Sequence, residues 1–426
     1  MRRDESGVSI QKILTIPPIL IQTHLQIQKM NQFFKFVFAS CLGFALATVA
    51  LFFLGFIMLA IIGSAGGKEE VSVESNSVLH LTFHNPIPEQ TNNLEMNPFD
   101  LGNQEILGLE DIEDAIEHAA TDDKIKGIYL DMEHGIGAGV ATAATLRDAL
   151  EKFKESGKFI LAYSNYYTQG GYYLASVADT IYLNPLGGID LHGFSVTMPF
   201  FKKMLDKIGV KMQVFYAGDF KGATEPYRLE KMTDENRLQL REYIEPVFTN
   251  YLTEIAESRK KSAAELRSIA NELKAREADQ AISLGLIDAT GYSDDVIANI
   301  RQRTGLDEKE KVRTVSLEDY AKSYTKKKDF SSKDKIALVY AEGAIYDQDG
   351  EKGTISDDKC VKLLRKIRED EKFKAIVLRV NSPGGSALAS ENIWRELNLA
   401  KQAGKKVVVS MGDYAASGGY YIACMG

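Results

Sequence analysis

Near the end of the chain, Met411-Gly-Asp-Tyr-Ala-Ala-Ser417-Gly-Gly-Tyr-Tyr421 sets one hydroxyl among small residues and two glycines. The valine run Val407 to Val409 before it predicts a buried strand, and the glycines let the backbone turn sharply. Ser417 then stands where a strand ends and a helix can begin, beside backbone N–H groups. Acyl transfer needs such a place: a hydroxyl nucleophile next to donors that hold an oxyanion. The plainer reading of an isolated Ser-Gly-Gly is a small polar residue in a tight turn. A serine also needs a base. All six histidines lie at or before His192, so a Ser-His pairing would need a long-range return of the chain. Lysine is the other attested base, once burial or a neighbouring cation leaves some of it as free amine. With 51 lysines and arginines, composition selects none, and Lys221 taken alone reads as a solvated loop lysine.

The elements that must position these groups alternate between strand and helix. Ser77 to Phe83, Gly127 to Asp131 and Phe159 to Tyr163 read as strands, with helices over Asp111 to Ala119 and Ala141 to Ser156. This alternation predicts an α/β fold with a largely parallel sheet. Further on, the pattern gives a helix over Pro199 to Ile208, a strand over Lys211 to Tyr216 and a long helix from Thr233 to Arg259. That long helix carries Ile244, Val247, Phe248, Tyr251, Leu252 and Ile255 on one face. Ser262-Ala-Ala-Glu265 is a capping-box start for another helix. Strands at Ile336 to Tyr340 and Ala375 to Val380 follow, the second running into Asn381-Ser-Pro-Gly-Gly-Ser386.

A repeat is present. Lys124-Ile-Lys-Gly-Ile-Tyr-Leu130 parallels Lys372-Phe-Lys-Ala-Ile-Val-Leu378, and Gly170-Gly-Tyr-Tyr-Leu-Ala175 parallels Gly418-Gly-Tyr-Tyr-Ile-Ala423, both at an offset of 248 residues. That period is far too long for a solenoid and implies one domain duplicated. Ser417 then corresponds to Gln169, so the first copy has the turn without the nucleophile. The expected organisation is a tail over 1–29, an anchor over 30–68, a first copy over 69–325, a charged linker over 326–334 and a second copy over 335–426. The second copy ends nine residues after Ser417, so the sequence is expected to be a fragment, and Met30 is a plausible translation start.

From Phe36 to Ile62 there are 27 residues without a charge, enough to cross a hydrocarbon core of roughly 30 Å. Lys29 and Lys35 precede the run and Glu69 and Glu70 follow it, which places the N-terminus in the cytoplasm and the bulk of the chain outside. The run exceeds a signal-peptide core of about 7–15 residues, favouring an uncleaved anchor over a cleaved leader. A net charge of −8 gives no footprint for nucleic acid, and three scattered cysteines fit neither a disulfide framework nor a zinc site. His80 and His84, Asp413 and Arg379 read as structural. The clustered tyrosines Tyr166, Tyr167, Tyr172, Tyr173, Tyr420 and Tyr421 read as sheet packing. No motif calls for a metal, nucleotide, flavin or other cofactor.

Three motifs in this order, Asp219-Phe-Lys221-Gly-Ala-Thr-Glu-Pro-Tyr227, Asn381-Ser-Pro-Gly-Gly-Ser386 and Met411 to Tyr420, resemble the signal peptide peptidase A family (peptidase family S49) in its long, duplicated, membrane-anchored bacterial form. The resemblance runs from about Met30 to Gly426. It implies Ser417 as nucleophile, Lys221 as general base, and an oxyanion site at Gly384 and Gly385 with the Gly418 N–H as second donor. It also implies a duplicated ClpP/crotonase-like fold of repeated ββα units in two roughly perpendicular sheets. The implied assembly is a bowl-shaped homo-oligomer, a tetramer, on the periplasmic face of the inner membrane, degrading signal peptides left after export. Two other readings stand beside it: a crotonase-type acyl-CoA enzyme using the same Gly-Gly turn, and a non-catalytic membrane scaffold.

Overall fold

The computed structural model describes residues 18–65, 71–94, 106–325, 331–347 and 350–426. It has two compact units, Met1–Glu70 and Val71–Gly426. In the first, a helix α1 spans Pro18–Ala65. Within it, Gln32–Met58 has a mean hydropathy of 2.4 and none of its length is buried. By length and composition this helix can cross a membrane, a test that a signal sequence also passes. Residues 18–29, read from sequence as tail, are helical. Pro18 occupies the first helical position, where its missing N–H costs nothing, and no breaker follows it. The rest of that tail, and 326–330 of the expected linker, lie outside the described residues.

The second unit begins with a regular alternation: β1 (Ser77–Leu81), α2 (Leu109–Thr121), β2 (Ile125–Asp131), α3 (Val140–Glu155), β3 (Phe159–Ser164), α4 (Gln169–Ala175) and β4 (Thr180–Leu183). Then come α5 (Lys202–Lys207), α6 (Glu225–Arg228), α7 (Asp234–Arg259), α8 (Ala263–Asn271), α9 (Ala278–Ser283), β5 (Ala289–Thr290), α10 (Ser293–Arg303), β6 (Arg313–Ser316) and α11 (Leu317–Ser323). The strands form a six-stranded, wholly parallel sheet in the order β5-β4-β3-β2-β1-β6. Its central strand β2 is buried at nearly every position, as a strand covered on both faces must be. Ile128 and Leu130 enter the large core shared with α2, α3, α4 and α7. On the opposite face, Val78, Tyr129, Leu161 and Tyr163 pack against Val296 and Ile300 of α10.

The chain continues through β7 (Lys335–Glu342), β8 (Ala344–Tyr346), β9 (Thr354–Ser356), α12 (Asp357–Glu369), β10 (Phe373–Ser382), α13 (Ala387–Gln402), β11 (Lys406–Ala415) and α14 (Gly418–Ala423). Here β11-β10-β7 form a three-stranded parallel sheet and β8 pairs with β9. Its core is a separate cluster in which Ile376, Leu378 and Val380 meet Leu364 of α12 and Ile393 and Leu397 of α13. Burying each such side chain contributes about 1.5–3 kcal/mol. Unlike β2, β10 alternates between buried and half-buried positions. Leu338, Val377 and Val408 are in register on the other face, where Leu338 and Val408 are exposed.

Two expectations are corrected. No strand forms over 211–216, and the helix predicted over 199–208 is only the six-residue α5. The apolar residues of this stretch have no core to enter: Ile208, Met212 and Phe215 are exposed, Phe215 at 93%. Pattern alone cannot make a strand where no neighbouring edge pairs with it.

Candidate active site

Strand β11 delivers the chain to Ser417, and α14 starts at the next residue. Ser417 has φ +51° and ψ −118°, a conformation that side-chain-bearing residues avoid. It is exposed, and among the described residues its hydroxyl has no hydrogen-bond partner. The turn is held on both sides. Ala416 N–H donates to the Ser382 carbonyl (3.1 Å), Gly419 N–H to the Ala416 carbonyl (2.8 Å) and Tyr421 N–H to the Ser417 carbonyl (2.9 Å). This strand–turn–helix elbow lifts a serine Oγ clear of its backbone, as hydrolytic serines require.

The Ser-Pro-Gly-Gly turn at the end of β10 lies against this elbow. Gly384 has φ +93°, and a Cβ there would sit 2.5 Å from the Gly418 nitrogen and 2.8 Å from Ser417 Cβ. Glycine is required on both counts. The Gly384 N–H donates to Ser382 Oγ (3.1 Å), and that hydroxyl donates to the Gly343 carbonyl (2.6 Å). The Gly384 carbonyl accepts from Ile345 N–H (3.0 Å), which ties the turn to β8. Gly384 therefore shapes the turn while its own N–H is engaged. The N–H groups of Gly385 and Gly418 have no acceptor among the described residues. The second belongs to the first residue of α14, where the helix leaves its amides unpaired. A shallow, mainly apolar cleft lined by Leu94, Glu342, Pro383 and Tyr414 adjoins the turn.

Lys221 is exposed, just ahead of a short 3-10 turn at Gly222–Thr224. Among the described residues no hydrogen bond joins it to Ser417. The structure thus brings together Ser417, Gly384, Gly385 and Gly418; Lys221 lies on the loop before Gly222. That loop is anchored by a residue which sequence reasoning passed over. Glu225, four residues on, is fully buried and accepts from Thr233 Oγ1 (2.5 Å), Thr233 N–H (3.3 Å) and Asn236 Nδ2 (2.9 Å). Burial alone would raise its pKa. The bonds from Thr233 and Asn236 outweigh burial, with help from the nearby Arg228 guanidinium, and hold it below the usual carboxylate range.

Gln169, which the sequence repeat pairs with Ser417, has its side-chain and backbone oxygens engaged. Gln169 is the first residue of α4, its side chain accepts from His192 N–H (3.2 Å) and its carbonyl from Tyr251 Oη (3.2 Å). Of the clustered tyrosines, Tyr167, Tyr172 and Tyr173 are buried in the first core, whereas Tyr166, Tyr420 and Tyr421 are partly exposed.

Sequence comparison gives relatives for this arrangement. The family model Peptidase family S49 matches residues 152–307 and 399–426, stretches that contain Lys221 and Ser417. The chain is 34% identical over 391 residues to Protease 4 of Haemophilus influenzae, covering 87% of this chain and 63% of that protein. It is 39% identical over 320 residues to Protease 4 of Salmonella typhi, covering 73% and 51%. To the chloroplastic serine protease SPPA of Arabidopsis thaliana it is 30% identical over 358 residues, covering 82% and 51%. The chain thus spans between about half and two-thirds of the length of these relatives.

Proposed function

We propose that this chain is a membrane-anchored serine endopeptidase of peptidase family S49, acting through Ser417 and Lys221. The observation that carries the reading is the strained elbow at Ser417, with the unengaged N–H groups of Gly385 and Gly418 beside it. In the proposed reaction Ser417 Oγ attacks a peptide carbonyl as its proton passes to the neutral Lys221 amine. The tetrahedral oxyanion is held by the Gly385 and Gly418 amides, a type of contact worth about 10²–10³ in rate. The Lys221 ammonium then protonates the leaving amine, and a water deprotonated by the same lysine releases the acyl group from Ser417. This requires the Lys221 amine to stand within hydrogen-bond reach of Ser417 Oγ.

The substrates proposed are signal peptides and other short apolar peptides, whose side chains suit the cleft at Leu94, Pro383 and Tyr414. The second unit would face the periplasm, anchored in the inner membrane by residues 36–62, with several copies assembling as a homo-oligomer. Duplication of one ClpP/crotonase-like unit explains why β2-α3-β3-α4 and β10-α13-β11-α14 follow the same order, with the turn kept in both and the serine in one.

The test is labelling by a fluorophosphonate, which phosphonylates an activated serine with loss of fluoride. Modification is expected at Ser417 and nowhere in Ser417→Ala, with peptide hydrolysis lost in Ser417→Ala and in Lys221→Ala. A wild-type protein that neither labels nor cleaves an apolar peptide would overturn the reading.

A further inference from the structure

Asp413 lies four residues before Ser417, on the last turn of strand that leads to it. Its side chain leaves the second sheet and reaches the N-terminus of α3 in the first half. There Oδ2 accepts from Gly139 N–H (2.9 Å) and Thr142 Oγ1 (2.7 Å), and Oδ1 from Thr142 N–H (3.0 Å). Helix α3 has no cap of its own, because its N-cap residue is Gly139 and makes no side-chain bond. The carboxylate supplies what a local Ser or Asp would otherwise provide, and its charge also suits the positive end of the helix. A Cβ at Gly139 would collide with that carboxylate, so the glycine makes room for a cap arriving from elsewhere in the chain.

This contact bears on the nucleophile. Ser417 is held in a backbone conformation that costs on the order of 1–3 kcal/mol and persists only if its surroundings over-determine it. Downstream, α14 holds it. Upstream, β11 pairs among the described residues with β10 alone, and its register slips between Val380 and Ser382, at the approach to the turn. In that stretch the fixed points are Asp413 on α3, Tyr414 N–H on Asn381 Oδ1 (3.0 Å) and Ala416 N–H on the Ser382 carbonyl. Asp413 is the one among them that ties the strand to a different core.

We infer that Asp413 is a positioning residue for Ser417, which it fixes by capping helix α3 of the other half. This inference rests on Ser417 being the nucleophile. A rigid 16-residue helix thereby sets where β11 ends, and hence where the serine Oγ points.

The experiment compares wild type with Asp413→Ala, Asp413→Asn and Thr142→Val. It reads the fluorophosphonate phosphonylation rate at Ser417, kcat and KM on an apolar fluorogenic peptide, and amide hydrogen exchange over 414–418. Asp413→Ala is expected to slow phosphonylation and kcat by about tenfold or more, since a displacement near 1 Å costs up to ~10² in rate, with KM within about twofold. Asparagine keeps one acceptor oxygen, enough for Gly139 N–H and Thr142 Oγ1 but not also for Thr142 N–H, so Asp413→Asn should be slowed less than Asp413→Ala. Phosphonylation of Asp413→Ala at the wild-type rate, or an Asn variant as slow as the Ala variant, would overturn the inference. If the Ala variant does not fold, Thr142→Val removes one of the three bonds and decides the matter by a smaller loss in the same sense or by none. If wild type itself is not phosphonylated, it is the peptidase reading that fails. Hydrogen exchange still judges Asp413: faster exchange over 414–418 in Asp413→Ala sustains it, and unchanged exchange overturns it.

Discussion

Arg379 Nε lies 2.9 Å from Glu89 Oε2, joining β10 of the second sheet to the loop after β1 of the first, 290 residues earlier. Both side chains are largely buried, and Arg379 also donates to Ser410 Oγ (2.9 Å) on β11. Among the described residues Glu89 Oε1 has no hydrogen-bond partner, and the Arg379 guanidinium is the cation paired with this carboxylate. Removing one member of a buried pair leaves the other uncompensated, a loss of about 3–5 kcal/mol. Arg379→Ala should therefore lower the thermal midpoint well below wild type. Glu89→Gln, which removes the charge and keeps the shape, should lower it less. Scanning calorimetry of the two variants checks the order.

Gly384→Ala tests the turn that faces the elbow. The added methyl meets the Gly418 nitrogen and Ser417 Cβ and demands φ +93° of a residue that resists it. On the proposed mechanism, loss of peptidase activity by about 10²-fold or more is expected, because the Gly418 N–H and Ser417 move together. Gly404→Ala, also at positive φ but with open space around it, is the control. It should lose some stability and keep its rate.

The loop of Lys221 should respond to acid. The Glu225 pKa is held below its usual value of 4.5 in the folded protein, so its bonds stabilise the loop fully above that pH. The contribution is lost as the pH falls through the depressed folded-state value. Glu225→Gln removes this dependence. Limited proteolysis between 217 and 230 is expected to accelerate below about pH 4.5 in wild type, and to be fast and flat across the same range in the variant.

Helix α1 leads to a fractionation experiment. The chain with Gln32–Met58 should stay in the membrane pellet after alkaline carbonate extraction, and a chain beginning at Val71 should appear in the supernatant. Equal partition of the two would remove the anchor.

Much of this was legible in the sequence because it is local. The alternation of β2, α3 and β3, the Ser262 cap on Glu265 N–H and the Gly-Gly turns all follow from spacing within a dozen residues. Within α7, Phe248, Tyr251, Leu252 and Ile255 are buried as their spacing predicts, while Ile244 and Val247, a turn nearer its N-terminus, are only half-buried. Residues 211–216 failed for the opposite reason: their alternation is that of a strand, but pairing depends on a neighbour that sequence does not name. Asp413 and Arg379 could be read only as structural, since their partners Gly139, Thr142 and Glu89 lie more than 270 residues away. The distinction between Gly384 and Gly385 was invisible too, because it turns on which N–H the Ser382 hydroxyl engages.

The cap on α3 also has a history in time. A ribosome adding about 5–20 residues per second makes Gly139 some tens of seconds before Asp413, which is 274 residues later. Throughout that interval the first half can fold with its helix end solvated and open. When β11 emerges, it meets a surface with one place for a carboxylate. The older half of the nascent chain thus serves as a mould for the newer one, and Ser417 is set only when synthesis reaches it.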